Sequence, residues 1–181
     1  MKLSRRIEDQ ILLLKIKHGD QEAFAIIYDK YVDALFRFVV FRVRSEEIAQ
    51  DITSELFLKI WQHITTSPTN VENLRAFLYQ MARNLVADHY RTTQETLPLE
   101  EAIEVEGSGA KDLNVRLSLA EVEKGLSNLP GEWQEVVILA YIEGFKHAEI
   151  AAIIGKSPAA TRVLLHRAIK ELKRILNQST N

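Results

Sequence analysis

The chain has 181 residues, no cysteine, 46% hydrophobic and 27% charged residues and a formal net charge of −2. This make-up fits a soluble globular protein and excludes disulfides and thiolate zinc sites. No stretch approaches the roughly 20 apolar residues of a membrane span, and the basic start Met1-Lys2-Leu3-Ser4-Arg5-Arg6 leads only to a short apolar run at 11–14. That run is too short for a signal peptide, so the expectation is a cytoplasmic protein with no membrane insertion.

Scarce Gly and Pro punctuate apolar residues spaced for helices, with no period-two strand. A helix is expected over about 6–18, stopped by Gly19. Asp20 N-caps the next, about 21–43, whose apolar face holds Phe24, Ile27, Tyr28, Tyr31, Leu35 and Phe38. Ser45 caps a third, about 46–64, with the stripe Ile48, Ile52, Leu56, Ile60 and Ile64. Its acids Glu46 and Glu47 suit the positive end of the helix dipole. After a polar loop over 65–70 comes a fourth helix, about 71–91, with Leu74, Phe77, Leu78, Met81, Leu85 and Val86 inward. Residues 92–112, with Pro98, five glutamates and Gly107-Ser108-Gly109, form a flexible acidic linker. Four shorter helices follow, at about 113–127, 131–143, 147–154 and 158–176. The fold class is therefore all-α, with two small helical domains, 1–91 and 113–181, joined by a flexible linker.

Charge is local. Residues 1–91 carry 13 Lys/Arg against 12 Asp/Glu, residues 92–114 carry 1 against 6, and residues 115–181 carry 9 against 7. Over 156–174 six basic residues face the single acid Glu171. Such a patch engages phosphates even on a slightly acidic molecule.

The last two helices form a helix-turn-helix pattern. The first ends at Gly155, which accommodates positive φ, and Ser157-Pro158 opens the second as N-cap and first helical residue. Ala151 is small where the helices cross, and Ile150 and Ile154 lock against Leu164 or Leu165. The second helix of such a motif lies in the major groove. Lys156, Ser157, Ala160, Arg162 and either Leu164 or His166 are thereby placed near DNA, with Arg162 able to bond guanine bidentately. Arg167, Lys170 and Lys173 suit phosphates, which position without specifying.

Across nearly its full length the sequence resembles the extracytoplasmic-function (ECF) group of sigma-70 RNA polymerase sigma factors. Ala23-Phe24 through Tyr28 and Tyr31 resemble region 2.1, and Asp51-Ile-Thr-Ser-Glu55-Leu-Phe57-Leu-Lys-Ile-Trp61 resembles region 2.2. Leu74-Arg-Ala-Phe77-Leu-Tyr79, then Ala82-Arg83-Asn84 through Asp88, Tyr90 and Arg91, resemble regions 2.3 and 2.4. Leu129-Pro130, Gln134-Glu135-Val136, Tyr141-Ile-Glu-Gly144-Phe, Glu149-Ile-Ala151, Gly155 and Leu165-His166-Arg167-Ala168 resemble region 4.

The resemblance implies core RNA polymerase and promoter DNA as partners, an anti-sigma factor as a further one, and no cofactor. It implies that Asp51 and Glu55 dock on the polymerase clamp. Arg83, Asn84, Asp88 and Arg91 would face the minus-ten element, with Phe77 and Tyr79 nearby and Phe77 mostly core. The loop around 63–73 would capture a flipped base, and the helix-turn-helix would read the minus-thirty-five element. The chain departs from the family pattern at Lys146, which weakens a helix cap, and at Lys156, where an apolar residue is usual. It also departs at Thr161, Val163 and Leu164; Leu164 replaces a basic residue and packs or touches a thymine methyl.

Catalysis finds no support. The five histidines, His18, His63, His89, His147 and His166, make no pair at helical metal spacing. There is no phosphate-binding glycine loop and no G-x-S-x-G nucleophile turn. The competing reading is a helix-turn-helix regulator with a helical sensor domain. It would bind duplex DNA alone and would not need Asp51, Glu55 and the 74–91 segment in their register.

Overall fold

A computed structural model describes residues 5–67, 71–96, 122 and 124–179. The chain divides into two compact units, Met1–Ile103 and Glu104–Asn181. The described residues contain helices and turns but no strand.

The first unit holds α1 (Arg5–Lys17), α2 (Gln21–Val43), α3 (Glu46–Thr66) and α4 (Leu74–Thr96). Sequence dictates the joints. Gly19 takes φ 82° after α1, and the Asp20 carboxylate then accepts from the Ala23 N–H at 3.0 Å. The Ser45 hydroxyl accepts from the Ile48 N–H at 3.3 Å to start α3. Helix α2 touches the other three, and the interior is filled by Ile16, Ile27, Leu35, Phe38, Leu56, Ile60, Leu74, Leu78 and Tyr79. The buried Asp9 carboxylate ties α1 to α2, accepting from Lys30 Nζ at 2.6 Å and the Tyr31 hydroxyl at 3.0 Å. The Gln10 amide nitrogen donates to the carbonyls of Val71 and Glu72 at 2.8 and 3.1 Å.

Helix α4 differs from its expected span at both ends. It starts at Leu74 rather than 71 because Asn73 is the cap, its side chain accepting from the Ala76 N–H at 3.1 Å. It runs through Thr96, past the expected end at 91. No residue from Thr92 to Thr96 breaks a helix, and Thr92 and Thr93 bond back to the carbonyls of Asp88 and His89. The first real obstacle is Pro98, which disfavours the helical region for its predecessor. The rest of the expected linker and most of the expected 113–127 helix lie outside the described residues.

In the second unit residues 124–127 are helical. Gly125 lets this segment approach the last helix closely: a Cβ there would lie 2.8 Å from Leu176 and 3.1 Å from Leu172. Then come α5 (Gly131–Val137), a π-helical turn continuing it (Ile138–Ile142), α6 (His147–Ile154) and α7 (Pro158–Ser179). The expected 131–143 helix is thus present but widened at its end, where the Glu143 N–H reaches back to Ile138 at 2.9 Å. The core gathers Leu126, Val136, Ile138, Leu139, Ile150, Ile153 and Ala168. No helix among the described residues is long and apolar enough to cross a membrane.

Candidate nucleic-acid interface

The motif from α6 to α7 is built by short-range chemistry. Lys146 begins α6 without a side-chain acceptor, as an ammonium must. Glu149 supplies the other half of the cap, accepting from the Lys146 backbone N–H at 2.9 Å. Gly155 closes α6 at φ 70°, in the left-handed region a side chain would strain. Its N–H and that of Lys156 both reach the Ala151 carbonyl. The Ser157 hydroxyl caps α7 by accepting from the Ala160 N–H at 3.1 Å. The buried Thr161 hydroxyl donates to the Ser157 carbonyl at 3.0 Å. Ala151, Ile150 and Ile154 are buried with Leu165, while Leu164 is only half-buried.

Helix α7 buries Thr161, Leu165, Ala168 and Leu172. The predicted contacts Ala160, Arg162, His166, Arg167 and Lys170 are all exposed, as is Ser157 beyond its capping bond. Lys156 is not simply presented to solvent: its ammonium pairs with Glu132 of α5 at 2.8 Å. Sequence spacing gave no sign of that partner. Further along, Glu171 bonds Arg174 at 2.6 and 3.0 Å. The guanidinium holds that carboxyl below its ordinary pKa, mainly through the hydrogen bonds.

On α4, Asn84, Asp88 and Arg91 are exposed at spacings of four and three residues, so they share one face. Arg83 is half-buried at its edge, and Asp88 is ion-paired with Arg91. The two aromatic residues exchange their expected places. Tyr79 is completely buried, edge-on to Phe38 with centroids 5.2 Å apart. Phe77 is only half-buried and lies 4.9 Å from the His63 ring. Tyr79 lies three and seven residues before the buried Ala82 and Val86 and so shares their face, where Phe38 of α2 packs against it.

Asp51 and Glu55 are exposed one turn apart on α3, and Glu55 pairs with Lys59 at 2.8 Å. They line an open groove between α3 and α4 that also receives Lys59, Leu85, Asp88 and His89. Asp88, expected with the DNA-facing set, therefore sits beside the two carboxylates expected to dock on protein. Lys59 and His89 were missed because only the fold brings the two helices together here.

Two family models match the chain: Sigma-70 region 2 over residues 27–96, and Sigma-70, region 4 over residues 119–172. The ECF RNA polymerase sigma factor BldN of Streptomyces coelicolor is 34% identical over 170 residues, spanning 91% of this chain and 64% of that protein. The ECF RNA polymerase sigma factor SigF of Caulobacter vibrioides is 31% identical over 126 residues, spanning 68% of each chain. The structure of CnrH in complex with the cytosolic domain of CnrY superposes with a TM-score of 0.74 at 25% identity, covering 94% of this chain and 98% of that one. Matched in both halves and along most of its length, the chain belongs to the ECF RNA polymerase sigma factors of the sigma-70 family.

Proposed function

We propose that this protein binds core RNA polymerase, directs it to promoters through minus-ten and minus-thirty-five elements, and acts in the cytoplasm by binding rather than catalysis. In this reading residues 1–91 dock on polymerase through Asp51 and Glu55 and engage the minus-ten element through Arg83, Asn84, Asp88 and Arg91. Residues 92–112 tether them to residues 113–181, whose helix-turn-helix takes the minus-thirty-five element. Joining two small DNA-contacting units raises the effective concentration of the second once the first is bound. The observation that carries the reading is the capped, exposed first half of α7, with its polar side chains outside a fully packed stripe. An anti-sigma factor is a further proposed partner, covering these exposed faces.

The test is transcription from a fragmented genomic library by bacterial core polymerase with and without the protein. The expected result is new start sites that need the protein and share two upstream elements. Specific duplex binding by the protein alone, with no new starts and no affinity for core, would instead establish the sensor-regulator reading.

Two substitutions separate the roles along α7. Arg162→Ala is expected to cost about 1–3 kcal/mol of discrimination at one base pair of the upstream element; equal losses on all sequences would make Arg162 a phosphate ligand. Lys170→Ala is expected to weaken binding evenly across sequences and to reduce the slope of log affinity against log salt by about one. A loss confined to one promoter sequence would contradict a phosphate role for Lys170.

A further inference from the structure

The buried stripe of α7, Thr161, Leu165, Ala168 and Leu172, fixes which way the helix faces. At 100° per residue, the side opposite that stripe passes through Ala159, Val163 and Lys170. Ala159 is exposed, and Val163 stands 50% exposed on a helix whose other large apolar side chains are buried or half-buried. Arg162 lies one position before Val163, 100° around the helix, and His166 and Arg167 follow it one turn later. The centre of the outward face is therefore made of methyl groups, with polar side chains at its flanks and Lys170 a further turn along.

A single exposed valine is unremarkable on a protein surface. Its place here is not, given a helix that enters the major groove with its N-terminal residues against base edges. Of the four bases only thymine offers an apolar group there, its C5 methyl. A polar base edge set against Val163 would lose water and gain no hydrogen bond, which penalises the other three. Leu164, the residue the sequence offered for this contact, is half-buried and turned toward the packed side.

We propose that Val163, supported by Ala159, reads the C5 methyl of a thymine in the upstream promoter element. The assignment rests on α7 being the duplex-reading helix of a sigma factor. It adds to that reading a specificity-determining contact made by shape and desolvation, beside the hydrogen bonds available to Arg162.

The experiment uses the full-length protein with core polymerase on a promoter from which it transcribes. Each thymine of the upstream element is replaced in turn by deoxyuridine, which keeps every hydrogen-bonding group and removes only the methyl. At one position the wild-type complex is expected to lose about fourfold in affinity, the worth of one buried methyl. Val163→Ala, an exposed truncation that leaves the packed stripe intact, is expected to be indifferent to the same replacement. Arg162→Ala should keep the methyl dependence while losing affinity overall. Equal methyl dependence in wild type and Val163→Ala, or no responsive thymine on a promoter the wild type transcribes, overturns the assignment while leaving the sigma-factor reading intact. Failure to transcribe from any promoter with active core overturns both.

Discussion

Reversing both carboxylates of the α3 face, Asp51→Lys together with Glu55→Lys, is expected to weaken core polymerase binding at least thirtyfold while leaving the first unit folded. The two side chains are exposed and one turn apart, so neither supports the interior. Within the unit the change replaces the Glu55–Lys59 ion pair with a like-charge pair at the same spacing. On a helix surface the lost attraction and the new repulsion together cost about 0.4–1 kcal/mol. Across the groove Asp88 acquires an attractive neighbour, which offsets part of even that. Against a basic partner the same change turns two attractions into repulsions, and losing a close interfacial charge pair costs about 2–5 kcal/mol. The measurement is titration of labelled protein with core enzyme, alongside its far-ultraviolet circular dichroism. Unchanged affinity with an unchanged helical spectrum would show that this face does not dock on polymerase.

The second large effect concerns stability. Tyr79→Ala is expected to destabilise the first unit by about 3–5 kcal/mol, because it empties a fully enclosed aromatic site beside Phe38. Phe77→Ala, two residues away and only half-buried, is expected to cost about 1 kcal/mol and to act instead on binding of melted minus-ten DNA. There the accessible part of a half-buried ring offers a stacking platform. Hydrogen exchange at the α2 and α4 amides separates the two, since a chain with two units has no single unfolding midpoint. Comparable protection losses in both variants would contradict the burial of Tyr79 relative to Phe77.

These two aromatics also mark where reading the sequence stops short. The helices of the first unit were legible because Asp20, Ser45 and Gly19 are strong local signals and the apolar stripes repeat without interruption. The turn and cap of the helix-turn-helix were legible for the same reason: Gly155 and Ser157-Pro158 act on neighbours within four residues. Asn73 as a cap is equally local: asparagine is a favoured N-cap, and its position just before Leu74 marks the start of the helix. Which of Phe77 and Tyr79 faces inward was not legible, since both fall near the edge of the apolar arc and the crossing with α2 decides between them. The pairing of Lys156 with Glu132 and the meeting of Asp88 with Asp51 and Glu55 depend on tertiary placement alone. The exposed pole at Val163 was within reach, because it follows by subtraction once the buried stripe of α7 is drawn.

The Gln10 amide of α1 has a consequence for synthesis. Its carbonyl partners Val71 and Glu72 lie 61 and 62 residues further along the chain. Helix α1 is made before the helices it packs on, and the partners of the Asp9 carboxylate, Lys30 and Tyr31, follow 21 and 22 residues later. The Gln10 bonds must wait for the segment ahead of α4. At about 5–20 residues per second that wait is roughly three to twelve seconds. The partners of Asp9 are complete about a third of the way through that interval, so its tie to α2 can form well before the Gln10 bonds can. The two polar ties of α1 thus become possible at different times: the one to α2 early, and the one to the segment ahead of α4 only after α2 and α3 have been made.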